Sequence, residues 1–331
     1  MHAVESVAAW LLGGTKTSDE QTSEEWHEQC GVVLASNQTP GDEAERVSVV
    51  YRLGATAAAG NARSLSQLLA ALEPTAPAAS RRVAVHGLGA AGTVAVPALL
   101  QLLENCTRDV VRGKSHGPEQ WEHITNCADA LGEAVTVVSA TRSLTNRLAT
   151  VISKLHTKVT ADQTEKAVGA AKATVLAPAE LWWEPCLEGA LASCIVALGH
   201  VGQYGVASGD TSAAAYAVVE TLLPIAMSGA GDLVRPGGFR SDLGRAVSRR
   251  GCVLACEAIR NLCWLLPLVK DSHVALDPAL RTLAQSTETS TRLRTVARDA
   301  LSALASARGD DARIHNHIVA VDPFWRDQPR L

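Results

Sequence analysis

A short phrase ending in Leu-Gly recurs along this chain, and no other pattern constrains its fold as strongly. Four clear copies read VSVVYRLG, RRVAVHGLG, HITNCADALG and LASCIVALG, and two degenerate copies, CVLACEAI and RTVARDAL, follow. Each copy ends on a large aliphatic residue: Leu53, Leu88, Leu131, Leu198, Ile259 and Leu301. A compact residue stands four positions earlier: Val49, Ala84, Cys127, Cys194, Ala255 and Ala297. Because residues four apart share one face of a helix, the phrase predicts helices whose backbones pack closely.

The spacing of the copies indicates a repeated two-helix unit. Successive copies lie 35, 43, 67, 61 and 42 residues apart, near the period of helical repeats with insertions. The sequence therefore predicts an all-α chain, an α-solenoid of about six irregular two-helix repeats with negligible β structure. No disordered linker divides it, so we expect a single domain over 1–331. Its parts would be N-terminal capping helices at 1–42, repeats at 43–306 and an extended C-terminal tail at 307–331.

The composition agrees with packed helices and limits the classes of partner. Hydrophobic residues make up 47%, charged residues 19% and aromatic residues only 4%, which suits helices better than a β-sandwich. The net charge of −4 gives no general attraction to nucleic acid or to an anionic membrane. The sequence contains no run of about 18 uncharged apolar residues, so we expect no membrane span. Because most of the eight cysteines fall on apolar helix faces, we expect reduced thiols in an intracellular, reducing compartment.

Apolar periodicity and turn residues place the helices in pairs. We expect an opening helix at 2–13, favoured over a signal peptide because the segment lacks a basic start. The predicted helices are 2–13, 23–36, 43–58, 61–73, 79–91, 94–105, 118–137, 141–157, 180–200, 211–227, 246–267, 277–285 and 290–306, with an additional helix at 162–176. The predicted loops are 107–120, 202–210 and 228–245.

The segment RRVAVHGLGAAGTVAVPALLQLLEN resembles a HEAT repeat. In that family a first helix ends near Leu-Gly, a short turn follows, and a second helix opens close to a proline, here Pro97. Segments 43–73, 118–155 and 189–227 resemble the repeat more weakly. The resemblance implies an armadillo-like α-solenoid, and it identifies an architecture rather than a biochemical role. The Ala/Leu-Gly type of these repeats is also similar to HEAT regions that accompany proteins resembling phytanoyl-CoA dioxygenases and bilin lyases.

The same segment contains GLGAAG at Gly87–Gly92, a literal G-x-G-x-x-G. After a strand, such glycines would let a dinucleotide pyrophosphate approach a helix N-terminus. A dinucleotide fold also needs a second strand that ends in an acidic residue about 20 positions later. Asp109 instead precedes Val110 and Val111, and no alternation of strands and helices follows. We therefore interpret the glycines as a turn between helices, and keep a nucleotide-binding oxidoreductase as a distant alternative.

Three segments are candidates for partner binding, each with an ordinary structural alternative. The loop 228–250 gathers arginines around glycines and could bind a phosphate, an acidic peptide or an RNA segment, or it is a solvated connection. The pair at 182–183 could anchor a partner or fill a packing gap. The aromatic residues near the C-terminus could dock on a protein or cap the last repeat. The candidate residues are Trp182, Trp183, Arg235, Phe239, Arg240, Arg245, Arg249, Arg250, Phe324 and Trp325.

Catalytic and metal-binding patterns are weak. His86, His123 and His200 fall in different repeats, so we interpret them as packing or surface residues. His315 and His317 could share one side of an extended tail, but a metal site needs further ligands. Cys252, Cys256 and Cys263 share a helix face and are interpreted as core. No G-x-S-x-G elbow is present. We therefore predict no catalytic residue, no metal and no cofactor.

These patterns favour a non-enzymatic interaction or scaffold protein, a subunit of a complex whose partner is another protein. Binding would use the solenoid surface, the tryptophan pair and the arginine-rich loop. The alternative is a HEAT region of, or accessory to, a larger enzyme of the dioxygenase-like or bilin-lyase-like kind. Binding of iron and 2-oxoglutarate to the isolated chain would favour that alternative.

Overall fold

The computed structural model describes a little over half of the chain. The described residues are 24–36, 43–113, 117–136, 138–170, 187–207, 217–218, 220–222, 225, 278, 280–282, 284–285 and 291–307. Within these ranges 88% of the residues are helical and no strand is found, which confirms the predicted all-α class for this part of the chain. The predicted helices at 2–13 and 246–267 lie outside the described residues.

The helices with defined bounds are numbered in chain order. They are α1 (Glu24–Ala35), α2 (Glu43–Ala58), α3 (Ala62–Leu72), α4 (Ala78–Ala91), α5 (Val96–Val111), α6 (Pro118–Ala134), α7 (Arg142–Ala170), α8 (Leu187–Ala207) and α9 (Thr291–Ala307). A short 3-10 helix, Gly92–Val94, joins α4 to α5. The chain divides into two compact units, Met1–Ser139 and Ala140–Leu331. The single domain over 1–331 stays a prediction.

Local sequence signals explain where several helices begin and end. Gly60 has a φ of +98°, a left-handed conformation that favours glycine, and it separates α2 from α3. The Asn61 side chain then accepts a 2.9 Å hydrogen bond from the backbone N–H of Ser64 and caps α3. Pro97 lies in the first turn of α5, where its missing N–H costs little. The predicted boundaries of α2 and α3 are correct to within one residue.

Three predicted helix ends are wrong, because the helices continue beyond them. The segment 107–111, predicted as part of a loop, belongs to α5, and Val110 is completely buried there. Helix α7 continues to Ala170 instead of ending near 157. Helix α8 continues to Ala207 through the predicted loop at 202–210, and Val201 is completely buried.

Helices α2, α4 and α6 lie side by side and run in the same direction in the first unit. Gly54 in α2 lies against Gly87 in α4, and the preceding turn of α2 meets the same glycine through Val50. Arg81 near the start of α4 contacts Glu122 near the start of α6, and Gly89 lies against Glu133 further along both helices. Helix α3 packs on α2 and α4, α5 packs on α6, and α1 packs on α2 and α3. The first unit therefore has consecutive first helices of each pair in one parallel layer.

The leucines of the Leu-Gly phrase lie at the centre of this packing. Leu53, Leu88, Leu131 and Leu198 are each 0% exposed. Complete burial of a leucine side chain stabilises a fold by roughly 1.5–3 kcal/mol, so the phrase marks core positions. In α9, by contrast, Leu301 is only partly buried.

The second unit shows the same kind of packing between α7 and α8. The apolar residues of α7 predicted at helical spacing are all buried. They are Leu144, Leu148, Val151, Ile152 and Leu155. Residues of the α8 phrase are buried as well, with Cys194 and Leu198 both 0% exposed.

Candidate interaction surface

The ten residues nominated by the sequence for partner binding lie outside the described residues, so their placement stays a prediction. The same holds for the whole loop 228–250. The ten residues are Trp182, Trp183, Arg235, Phe239, Arg240, Arg245, Arg249, Arg250, Phe324 and Trp325.

The glycine-rich segment Gly87–Gly92 lies at the C-terminal end of α4 and in the turn that follows it. The residues before Gly87 are helical, and Gly87 itself is buried against Val50 and Leu68. Gly92 has a φ of +61° and begins the 3-10 helix. A pyrophosphate would need these glycines at the positive N-terminal end of a helix that follows a strand. The segment instead has the geometry of a turn between two helices.

Polar side chains from three neighbouring helices form a row on the first unit, which we call the outer row: Tyr51 of α2, His86 of α4, and Asp129 and Glu133 of α6. His86 Nδ1 lies 3.1 Å from Glu133 Oε2, and the two side chains are 50% and 43% exposed. Burial, and then the negative charge of Glu133, raises the pKa of Tyr51 above its ordinary value. The carboxylate of Glu133 therefore acts on groups from both preceding helices.

The register of the Leu-Gly phrase explains how the outer row forms. Tyr51, His86 and Asp129 each stand two residues before the leucine of their copy. Because the three helices are parallel, equivalent positions on them become neighbours. The outer row therefore contains the residue at the same position of the phrase from each of the three helices.

The opposite end of the same layer is joined by a shielded ion pair. Arg81 Nη2 lies 3.0 Å from Glu122 Oε2, and these side chains are only 12% and 25% exposed. Arg81 also donates a 3.1 Å hydrogen bond to the carbonyl of Pro74, in the turn after α3. The guanidinium thus connects α4 to α6 and to this turn, and we assign it to structure rather than to ligand binding.

The turns that follow α4 and α6 form an edge beside the outer row. The hydroxyl oxygens of Thr93 and Thr136 lie 2.9 Å apart, and the backbone N–H of Thr136 donates a 2.8 Å hydrogen bond to Ser139 Oγ. Val94 and Val138 are 44% and 82% exposed on the same two turns. Hydroxyl groups and exposed valines therefore lie on the turns next to the His86–Glu133 contact of the outer row.

Helix α1 is attached to this unit by polar contacts. The Oε1 atom of Gln67 in α3 lies 2.7 Å from His27 Nδ1. The Nε2 atom of the same side chain donates a 2.6 Å hydrogen bond to the carbonyl oxygen of His27. The guanidinium of Arg52 in α2 lies 5.3 Å from the centre of the Trp26 ring. Such a cation–π contact adds to the apolar packing of α1. These groups hold the helix in place.

The buried thiols with shifted pKa values are poor nucleophiles. Burial raises the pKa of Cys30 to about 11, against the opposing effect of Arg52. Burial, together with Glu73 and Asp109, raises the pKa of Cys106 to about 11. Because the thiolate is the reactive form, both side chains behave as apolar core groups. Among the described residues, no three His, Cys, Asp or Glu side chains are grouped so that they could hold a metal ion.

Comparisons of the chain with protein-family models, with curated proteins and with solved structures give no match. Within the described ranges, no helix combines the length and the apolarity that a membrane span requires.

The sequence does not reveal the outer row by residue type, because Tyr51 and Glu133 belong to no chemical motif. The usable signal is the alignment of the phrase copies, which places Tyr51, His86 and Asp129 at one position. The contact of His86 with Glu133 needs the direction and offset of helix stacking as well. Those come only from the structure.

Proposed function

We propose that this chain is a non-enzymatic scaffold, a HEAT-like α-solenoid of about six repeats that binds a partner protein on its surface. One observation carries the proposal: α2, α4 and α6 stack in parallel, and the phrase leucine of each of these three helices is completely buried. Stacked helical repeats bury a continuous core and leave equivalent positions side by side on extended surfaces, which such proteins use for binding.

The outer row is the part of this surface that the described residues favour for contact. Tyr51 is partly exposed, and tyrosine is enriched among the residues that dominate binding energy. The half-exposed pair of His86 and Glu133 offers a charged partner beside it. We propose that the arginine-rich loop 228–250 supplies a second contact, directed at acidic groups, because guanidinium groups bind carboxylates and phosphates in bidentate geometry.

Quantitative affinity purification from the native source tests the proposal. One variant combines Tyr51→Ala with Glu133→Gln, and a second combines Arg235→Glu, Arg240→Glu and Arg245→Glu. Gln101→Ala changes an exposed side chain on α5 and serves as the control. We expect the control to retain the wild-type partners and each variant to lose them at least about tenfold, which corresponds to 1.4 kcal/mol. Equal recovery by all forms would contradict the assigned surfaces.

Small-angle scattering of the monomer tests the architecture separately. A compact chain of this length has a radius of gyration of about 20 Å, and a solenoid of six stacked repeats has a larger one. A measured value near 20 Å would contradict the solenoid but would leave the partner experiment meaningful.

A further inference from the structure

His123 makes two hydrogen bonds that define which of its ring nitrogens carries the proton. The side chain is 3% exposed on α6, and its Nδ1 lies 3.0 Å from the carbonyl oxygen of Leu72. A carbonyl oxygen only accepts hydrogen bonds, so Nδ1 carries the proton in the neutral ring. Nε2 then presents its lone pair to the thiol of Cys127, whose Sγ lies 3.9 Å away. The neutral imidazole is satisfied on both sides.

The Leu72 carbonyl belongs to the C-terminal end of α3. The last carbonyls of a helix lack partners within the helix, and burial without a partner is costly. Leu72 is itself completely buried. His123, 51 residues further along the chain, supplies the missing donor and connects the end of α3 to α6.

We infer that His123 is an acid-sensitive clamp, which holds the C-terminal end of α3 on α6 while its ring is neutral and releases it when Nε2 takes a proton. Protonation would turn Nε2 into a donor that faces a sulfur atom, and sulfur is a weak acceptor. Cys127 is 0% exposed, so solvent water at the protein surface does not serve as a better acceptor for Nε2 in place of this sulfur atom. The charged ring would therefore be buried without an adequate partner.

Charged groups around the ring act in both directions. The charged groups that act on the His123 ring are Glu122 on the same helix, Arg81 on α4 and Glu73 after α3. Helix α5, which packs against α6, carries the titratable residues Cys106 and Asp109. Glu122 already accepts a 3.0 Å hydrogen bond from Arg81, so its charge is largely balanced. Burial is the largest effect and lowers the pKa of His123, and Arg81 lowers it further. Glu73, Glu122 and the Leu72 hydrogen bond oppose this shift without reversing it.

The direction of the pH response follows from the lowered pKa. In the released state His123 has the ordinary histidine pKa of about 6.5, so it binds a proton more readily than in the clamped state. The clamp is at full strength above that pH. It weakens as the pH falls below about 6.5, by at most tenfold per pH unit.

Hydrogen exchange of the full chain, measured by mass spectrometry at pH 7.5 and 5.0 and corrected for intrinsic rates, tests the clamp. We expect protection at the end of α3 and in the first half of α6 to fall by up to about thirtyfold at pH 5.0. In His123→Asn, the amide can still donate to the Leu72 carbonyl but does not titrate, so this loss should disappear. His86→Asn removes an exposed histidine of the outer row and should keep the wild-type response.

A direct measurement keeps the inference testable if His123→Asn does not fold. Nitrogen-15 spectra of the histidine rings should show the neutral His123 with its proton on Nδ1 and a titration midpoint below 6.5. A proton on Nε2, or an acid response that persists in His123→Asn, would overturn the clamp. Neither measurement involves a partner, so failure here is distinct from failure of the proposed scaffold function.

Discussion

Replacing Gly87 by alanine should loosen the contact between α2 and α4. An added Cβ would lie 2.6 Å from Leu68 Cδ2, 2.8 Å from the Val50 carbonyl oxygen and 2.9 Å from Val50 Cβ. Two of these atoms belong to the backbone or Cβ of α2, so a rotamer change cannot relieve them and the helices must move apart. Such overpacking costs about 1–3 kcal/mol.

Alanine also favours helix by about 1 kcal/mol over glycine, which offsets part of that cost. We therefore expect Gly87→Ala to lower the free energy of unfolding by a net amount of roughly 0–2 kcal/mol. For a unit of this size the melting temperature should fall by up to about 8 °C. Urea and thermal unfolding, followed by circular dichroism at 222 nm, measure both quantities.

Gly31→Ala is the matched control, because Gly31 is also a helical glycine. Within the described part of the chain, its added Cβ would meet Gln67 Nε2 at 3.7 Å, an ordinary contact. The helix preference of alanine should then act alone and raise stability by about 0.5–1 kcal/mol. If Gly87→Ala proved as stable as Gly31→Ala, the close packing of α2 on α4 would be refuted.

Two further predictions concern buried polar and thiol groups. The buried Ser80 hydroxyl donates a 2.6 Å hydrogen bond to the Leu34 carbonyl of α1, so Ser80→Ala should cost about 1–3 kcal/mol in urea unfolding. Ser66→Ala, at an exposed hydroxyl, should change stability by less than about 0.5 kcal/mol, and equal losses would contradict the assignment. At pH 7.5 a thiol of pKa about 11 forms about a hundredfold less thiolate than one of pKa 9.0, so Cys30 and Cys106 should resist iodoacetamide in the folded chain. Alkylation in the native state at the rate seen in urea, read from tryptic peptides, would disprove their burial.

The sequence predicts the fold best where local chemistry decides it. Gly60 and Asn61 mark the turn between α2 and α3, and a left-handed glycine followed by a capping side chain is what the structure contains. The end of α5 could not be read in the same way. Thr107 and Val110 follow a polar stretch, but both are buried and remain helical in α5, which packs against α6. Tertiary contacts, which a linear pattern does not encode, decide that boundary.

The candidate site was predictable only in part. The phrase aligns Tyr51 with His86, but the contact from His86 to Glu133 depends on the offset between parallel helices. The sequence directs attention to conspicuous residues such as Trp182 and Arg240, whereas the described surface is built from ordinary ones. The role of the buried His123 likewise depends on Leu72, a residue of α3 that lies 51 positions earlier in the chain.

The glycine of the Leu-Gly phrase has a consequence for tolerance to mutation. At Gly54 and Gly89 every substitution adds a Cβ, and the space is already occupied by atoms of the neighbouring helix, Ala90 for Gly54 and Glu133 for Gly89. In α9 the corresponding position is Ser302, which is exposed, and the preceding Leu301 is only partly buried. The phrase therefore keeps its glycine where a neighbouring helix fills the space of a Cβ, and in α9 it has a larger residue at an exposed position. In α9 the loss of the glycine thus coincides with a position where the added side chain is exposed to solvent.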